Sequence, residues 1–342
     1  MKFGLALPHY DTSRAGQPVT WEGVKETALA AERAGFDSVW VSDHMFLDWG
    51  KYGGPPNPQG TLECWTTMAA LAAATNGVRI GSLALCNDFR NPGLLAKMIA
   101  TADVLSGGRI DVALGAGWYE PEYRALGIPF DPPGDRIRRL GEAVEIAARL
   151  LEGEELTYKG EHYVLDGAIC RPQPVQRPRP AIWVGGKGDF LLRTAARVAD
   201  GWNFSWIGSL EAYAERGRAA SRMCEEVGRD PASLRRSVGV YLLTGRDERD
   251  LMRRYERLVE RTPGGVLGEK GGAAVSFEEF RRTRVAGTVQ EVVDSLGGLA
   301  DLGVEEVIFT LGVLPFQLAD EEDIELVGTE IAPAVAGSRR TQ

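Results

Sequence analysis

Two of the three histidines fall just after short β-rich runs. His9 follows the run Lys2–Pro8, and His44 follows SVWVS with Asp43 beside it. An imidazole at such a place donates, accepts or relays a proton near neutral pH. The plainer reading is a helix-capping Asp next to a hydrogen-bonded His. Two glycine turns also follow β-rich runs: Gly115-Ala116-Gly117 with Trp118, and Gly185-Gly186-Lys187-Gly188. Small residues there let a flat ring lie close to the backbone. The second turn precedes a helical pattern, so its N–H groups and the helix dipole suit an anion. Neither turn is a nucleotide loop of the common kinds. Position 120 is Glu where a dinucleotide fingerprint needs Gly, and Lys187 is followed by Gly rather than Ser or Thr. Each turn also has the plainer reading of a tight connection. Cys86 and Asn87 follow the third run; Cys86 reads first as a small core residue. Trp118 reads as a ring wall or as core. His162 lies in a hairpin pattern and reads as structural. No cysteine pair has CxxC spacing, so no metal site is expected.

What must position these residues is an alternation of strands and helices. Short β-rich runs are expected at Lys2–Pro8, Ser38–Ser42, Arg79–Leu85, Arg109–Leu114, Ala181–Val184, Gly201–Phe204, Ser237–Leu243 and Glu306–Thr310. Helical patterns stand between them. Thr20 suits an N-cap before Trp21, Val24, Ala28 and Ala31 on one face. Leu140, Val144, Ala147 and Leu151 keep the spacing of one buried stripe. Thr288 and Glu291 make a capping box. Thr157–Leu165 reads as a hairpin turning at Lys159-Gly160. Such alternation implies parallel strands with crossover helices, and eight units favour a closed TIM (β/α)8 barrel with insertions. One domain is expected over 1–335, with insertions near 152–178 and 262–285 and a flexible tail at 336–342. The Gly-rich stretch Thr262–Ser276 reads as a surface loop or as a lid over the site. A barrel puts its site at the C-terminal ends of its strands, which is where the residues above fall.

The chain has 342 residues, 44% hydrophobic and 25% charged, ordinary for a globular protein with a large core. Its formal net charge of -9 argues against a nucleic-acid partner, because phosphate backbones need a basic surface. A local basic pocket for one anionic ligand stays compatible with that charge. No apolar run reaches membrane length, and the N-terminal one is too short for a signal h-region. Four scattered cysteines read as reduced thiols in a cytoplasm.

SVWVSDH, the long stretch RIGSLALCNDFRNPGLLAKMIATADVLSGGRIDVALGAGWYEPEYRALGIPF, PAIWVGGKG and RVADGWNF together resemble the luciferase-like superfamily. Within it they are most similar to actinobacterial members that use the deazaflavin coenzyme F420. The resemblance implies a bacterial-luciferase-like barrel, usually dimeric, with a flavin or deazaflavin across the strand ends. It implies that Asp43 and His44 meet the ring, and that Leu83 and Ala84 carry a non-prolyl cis peptide behind it. Pro8, His9, Cys86, Asn87, Gly115, Ala116, Gly117 and Trp118 join as cofactor-binding positions. Gly185, Gly186, Lys187 and Gly188 match the phosphate segment. Sugar-phosphate-oxidising relatives carry a catalytic Glu just after the strand-four glycines; Trp118 stands there here, which argues against that substrate. The implied activity is hydride transfer between F420 and a small organic substrate, with His44 as proton donor or relay and Asp43 orienting the ring. The alternatives are an FMN-dependent monooxygenase fed by a partner reductase, and a non-catalytic flavin-binding protein.

Overall fold

Eight parallel strands pair in sequence order and close on themselves. They are β1 Lys2–Ala6, β2 Ser38–Val41, β3 Arg79–Cys86, β4 Ile110–Gly115, β5 Ile182–Gly185, β6 Gly201–Ile207, β7 Arg235–Gly245 and β8 Glu306–Thr310. β8 returns to β1 with Lys2 opposite Glu306, and β6 pairs with β7 to complete the ring. This is the TIM barrel that the alternation implies. The computed structural model describes residues 1–52, 56–262 and 276–338.

Except for two seven-residue helices, the covering helices form where the sequence periodicity puts them. The first, α1 Trp21–Arg33, opens on Thr20, whose side chain accepts the N–H of Gly23. Next come α2 Cys64–Ala74, α3 Pro92–Ser106, the short α4 Glu120–Leu126 and the long α5 Pro133–Leu151. On α5, Leu140, Val144, Ala147 and Leu151 are all buried. After it stand α6 Asp189–Val198, α7 Leu210–Glu226, α8 Glu248–Arg261, α9 Phe277–Thr283 and α10 Val289–Asp301. The capping box of Thr288 and Glu291 opens α10.

The barrel interior is filled by tryptophans seated on glycines of neighbouring strands. Trp40 faces Gly81 in register, and a Cβ at Gly81 would lie 2.3 Å from its ring. Trp183 faces Gly201 in the same way, where a Cβ would come within 2.1 Å. These contacts are sub-van-der-Waals, so only glycine admits the large rings at that depth. The Trp40 indole N–H donates to Ser38 Oγ at 2.7 Å, and the Ser38 hydroxyl donates to Glu306 at 2.5 Å. A buried polar thread thus ties the second strand to the eighth, across the first, at the bottom of the barrel.

The structure revises several boundaries. β1 ends at Ala6, two residues before Pro8, which has no N–H for the ladder. β6 runs on to Ile207. An antiparallel hairpin of Phe46–Asp48 with Pro58–Gly60 stands between β2 and α2, where the sequence showed no strand pattern. The expected second hairpin is present as Leu156–Lys159 with Val164–Ala168. A helix of Ala332–Ser338 runs into the expected tail at 336–342, and 339–342 lie outside the described residues. The loop-or-lid stretch 263–275 also lies outside them. No described helix is long and apolar enough to cross a membrane.

Burial pushes the Glu306 carboxyl up to about 7, and the nearby Asp111 charge adds to the effect. A folded-state value above the unfolded one means that folding takes up a proton, so stability falls as pH rises from about 4.5 through 7. The neutral isostere Glu306→Gln should therefore match the wild type near pH 5 and exceed it near pH 8, by on the order of 2 kcal/mol. Urea midpoints at the two pH values check this. An equal midpoint difference at both would remove Glu306 as the source of the slope.

Candidate active site

A cavity of about 780 Å³ opens at the C-terminal ends of the strands. Its floor is made by β3, β4 and β5. The Leu83–Ala84 peptide bond is cis, as the resemblance implies. A Cβ built at Gly115 would sit 3.6 Å from the Ala84 methyl, and one at Gly185 3.4 Å from it. Three adjacent strands therefore present one small side chain and two bare backbones side by side. That is a flat shelf which any larger residue would fill. Gly117 bounds it with φ +73, and Tyr123 presses against its α-carbon so closely that no Cβ fits.

Two buried carboxylates set the shelf's edge. Asp43, directly after β2, accepts the Cys86 N–H at 2.8 Å and pairs with Arg90 at 2.5 and 3.0 Å. Burial raises its pKa, against the pull of Arg90. Arg90 also donates to Glu63, at 2.5 Å. Both Asp43 oxygens are thus engaged by protein groups. The second carboxylate is Glu122, on α4. His44 Nδ1 lies 2.7 Å from Glu122 Oε2, while Oε1 accepts the N–H groups of Met45 at 2.5 Å and Phe46 at 3.2 Å. The His44 ring meets Trp118 edge-on, with centroids 5.5 Å apart. The Lys51 ammonium stands 4.2 Å over the outer part of that pair, the Trp118 ring.

The far end of the cavity is walled by Leu47, Tyr52, Trp206, Tyr241 and Phe316. Three cations line the whole: Arg136, Lys187 and Arg284. Arg136 donates to the carbonyls of Ala116 at 3.2 Å and Gly117 at 3.4 Å, and stacks on Phe130. Lys187 donates to the Trp206 carbonyl at 3.3 Å, and burial lowers its pKa. Arg284 stacks on Tyr241. Among the described residues none of the three has a carboxylate partner.

Most residues singled out from the sequence line this cavity: Asp43, His44, Leu83, Ala84, Cys86, Gly115, Ala116, Gly117, Trp118, Gly185, Gly186, Lys187 and Gly188. Pro8, His9 and Asn87 do not. Because β1 stops early, the chain turns His9 inward. Its ring is fully buried against the Leu7 carbonyl at 2.9 Å and Ser42 Oγ at 3.1 Å, and burial lowers its pKa to about 4. Asn87 starts a 3-10 turn and donates to the Tyr163 hydroxyl at 3.2 Å, away from the cavity. Cys86 lines the wall as a thiol, its pKa pushed up to about 12 by burial. The sequence reading missed Glu122, whose one signal is a place shortly after the β4 glycine turn, and Arg136, which lies on α5. It also missed Leu47 and Tyr52, which lie in and beside the unforeseen hairpin.

His162 falls in the second hairpin, near Glu142 and Glu161. This is the one group among the described residues with the spacing of metal ligands. Glu142 already accepts the N–H groups of Glu161, His162 and Tyr163, and Arg138 pairs with Glu161. The carboxylates are thereby occupied within the hairpin.

Known proteins resemble this chain along most of its length. The chain is 26% identical over 360 aligned residues to an FMNH(2)-dependent dimethylsulfone monooxygenase of Pseudomonas putida, covering 98% of this chain and 95% of the relative. It is 28% identical over 310 residues to an F420-dependent glucose-6-phosphate dehydrogenase of Amycolatopsis mediterranei (strain U-32), covering 83% and 86%. The solved coenzyme F420 dependent tetrahydromethanopterin reductase of Methanopyrus kandleri superposes with a TM-score of 0.73 at 21% identity, over 97% of this chain and 98% of that one. The model of the luciferase-like monooxygenase family matches residues 1–306, and the chain belongs to that family of oxidoreductases.

Proposed function

We propose that the protein is a coenzyme F420-dependent oxidoreductase that moves a hydride between the deazaflavin and a small organic substrate. The observation that carries a flat-ring cofactor is the shelf of Ala84, Gly115 and Gly185 with His44 at its edge. The cations Arg136 and Lys187, without a carboxylate partner among the described residues, carry the choice of F420. A planar ring fits on a surface from which side chains are missing. When bound, the ring supplies or accepts the hydride, and the protein supplies orientation, charge and exclusion of water. Asp43 acts one step back from the ring. It fixes the end of β3 through Cys86 and Arg90. The turn at Gly185–Gly188, with Lys187 and Arg136 nearby, suits the acidic side chain of the cofactor. The aromatic far wall shields the reacting atoms from water and favours an apolar substrate body.

The cations favour F420 over FMN, since the F420 side chain carries carboxylates besides its phosphate. The FMN reading, with a reductase supplying reduced cofactor, is favoured by one finding: the match to the dimethylsulfone monooxygenase runs nearly end to end. A carrier without catalysis fits poorly, because the cavity extends beyond the shelf to the aromatic wall.

Equilibrium titration separates the cofactors. F420 should bind at least about tenfold more tightly than FMN, a difference of about 1.4 kcal/mol. The reverse order would move the assignment to the monooxygenase reading.

Gly115→Val tests the shelf. The new side chain would meet the Ala84 methyl at ordinary contact distance, so it stands on the shelf and spares the core. Affinity for either cofactor should drop about tenfold or more with little change in melting temperature. Gly186 is a poorer probe, since its φ of +143 would strain any other residue. Unchanged cofactor affinity in folded Gly115→Val would show that the ring lies elsewhere.

His44→Ala should slow the chemical step by about 10²–10⁴-fold, the range of general acid–base catalysis, with a much smaller change in cofactor affinity. His44→Gln keeps hydrogen bonding but cannot gain charge. Single-turnover rates decide: recovery in the Gln variant reduces His44 to positioning, and full rates in both variants exclude it from the chemistry.

A further inference from the structure

We infer that Glu122 is a positioning residue that fixes the tautomer of His44 and thereby decides which polarity the imidazole shows to the cavity. The inference rests on the reading of His44 as the group that faces the reacting atoms. Glu122 is buried, its side chain 2% exposed, and its orientation is over-determined. Oε1 accepts two consecutive backbone N–H groups, those of Met45 and Phe46. That leaves Oε2 aimed at His44 Nδ1, 2.7 Å away. A carboxylate there can only accept, so Nδ1 carries the proton. The neutral ring then turns the Nε2 lone pair outward. Among the described residues no protein group partners Nε2, although the ring lines the cavity. The ring is held by its contact to Glu122 and by Trp118 packed edge-on against it, while the Thr61 hydroxyl fixes the His44 backbone carbonyl at 2.5 Å.

The neutral site therefore offers His44 as an acceptor. The group it takes best brings its own O–H or N–H, and His44 becomes a donor only after gaining that proton. Glu122 lies on α4, which begins three residues after the Gly117 turn. One short segment thus carries both the shelf's rim and the group that aims the imidazole. The competing account is that Glu122 merely clamps the backbone of Met45 and Phe46.

Glu122→Gln separates the two accounts. Its amide oxygen can keep the Met45 and Phe46 N–H groups, while its NH₂ becomes a donor facing Nδ1. The clamp survives and the tautomer should invert. The chain has only three histidines, so long-range ¹H–¹⁵N spectra of the ¹⁵N-histidine-labelled protein resolve each ring, with His44→Gln assigning one. At about pH 8.5, above the ordinary imidazole range, the wild type should show His44 protonated on Nδ1, and Glu122→Gln should show it protonated on Nε2. The chemical step of Glu122→Gln should then fall about 10²–10⁴-fold, toward that of His44→Ala, with F420 and FMN affinities nearly unchanged. A wild type protonated on Nε2 would overturn the inference, and so would a folded Glu122→Gln protein that keeps the Nδ1–H form. Glu122→Ala is the second variant: it should give a mixture of tautomers, and a single Nδ1–H form there would also overturn the inference. The tautomer is read without cofactor. If neither F420 nor FMN binds the wild type, the functional reading falls while the assignment of Glu122 stands.

Discussion

The end of β3 has to be held still, and the means is a buried ion pair. Asp43 closes β2, takes the Cys86 N–H, and is itself neutralised by Arg90. Burying a carboxylate in this way costs several kcal/mol unless it is paired and hydrogen-bonded. Arg90 and the amide meet that requirement, and in doing so they lock two neighbouring strand ends together. The shelf follows from this lock. Ala84 sits inside the stretch that Asp43 anchors, and Gly115 and Gly185 are placed against it by barrel register. Glu122 repeats the device one strand further on, joining the residues after β2 to the helix after β4. Two acidic side chains thus stitch three strand ends into one surface, and the catalytic candidate His44 lies between the stitches.

Charge is distributed against the average of the molecule. The chain carries a net -9, yet Arg136, Lys187 and Arg284 face the cavity without a carboxylate among the described residues. A cation held in a low-dielectric wall with only carbonyl partners attracts an anion more strongly than one in water. The net negative charge and the cationic lining of the cavity differ in sign. These two facts are compatible because fields at this scale are local. The lowered pKa of Lys187 has the same origin, since burial penalises an ammonium that lacks a counter-charge.

The strand ends were legible in the sequence because barrel geometry is strict. Once eight β-rich runs are counted, the residue after each one faces the site, and Asp43, His44 and the two glycine turns follow. His9 and Pro8 show where that rule weakens. β1 ends at Ala6, so His9 lies in the loop beyond it rather than at the strand's end, and its ring is held inside by the Leu7 carbonyl and Ser42. Glu122 was illegible for a different reason. It belongs to a helix of seven residues, too short for periodicity to reveal, and its partners lie 76–78 positions away in sequence. The tryptophan–glycine pairs of the interior were equally hidden. Trp183 and Gly201 are ordinary residues until register sets them face to face.

The shelf does not choose between F420 and FMN, because both bring a flat tricyclic ring. Selection must come from groups beyond the ring plane. At the shelf's edge both oxygens of Asp43 are engaged by Arg90 and the Cys86 N–H. That shifts the discriminating interactions to the cofactor's side chain, where Arg136 and Lys187 stand beside the two glycine turns. A side chain with several acidic groups can satisfy both cations at once, whereas a single phosphate leaves one of them uncompensated unless it bridges them. The cost of leaving a buried cation unpaired is what would separate the two affinities. On the proposed reading, cofactor choice would be a question of charge count along the tail.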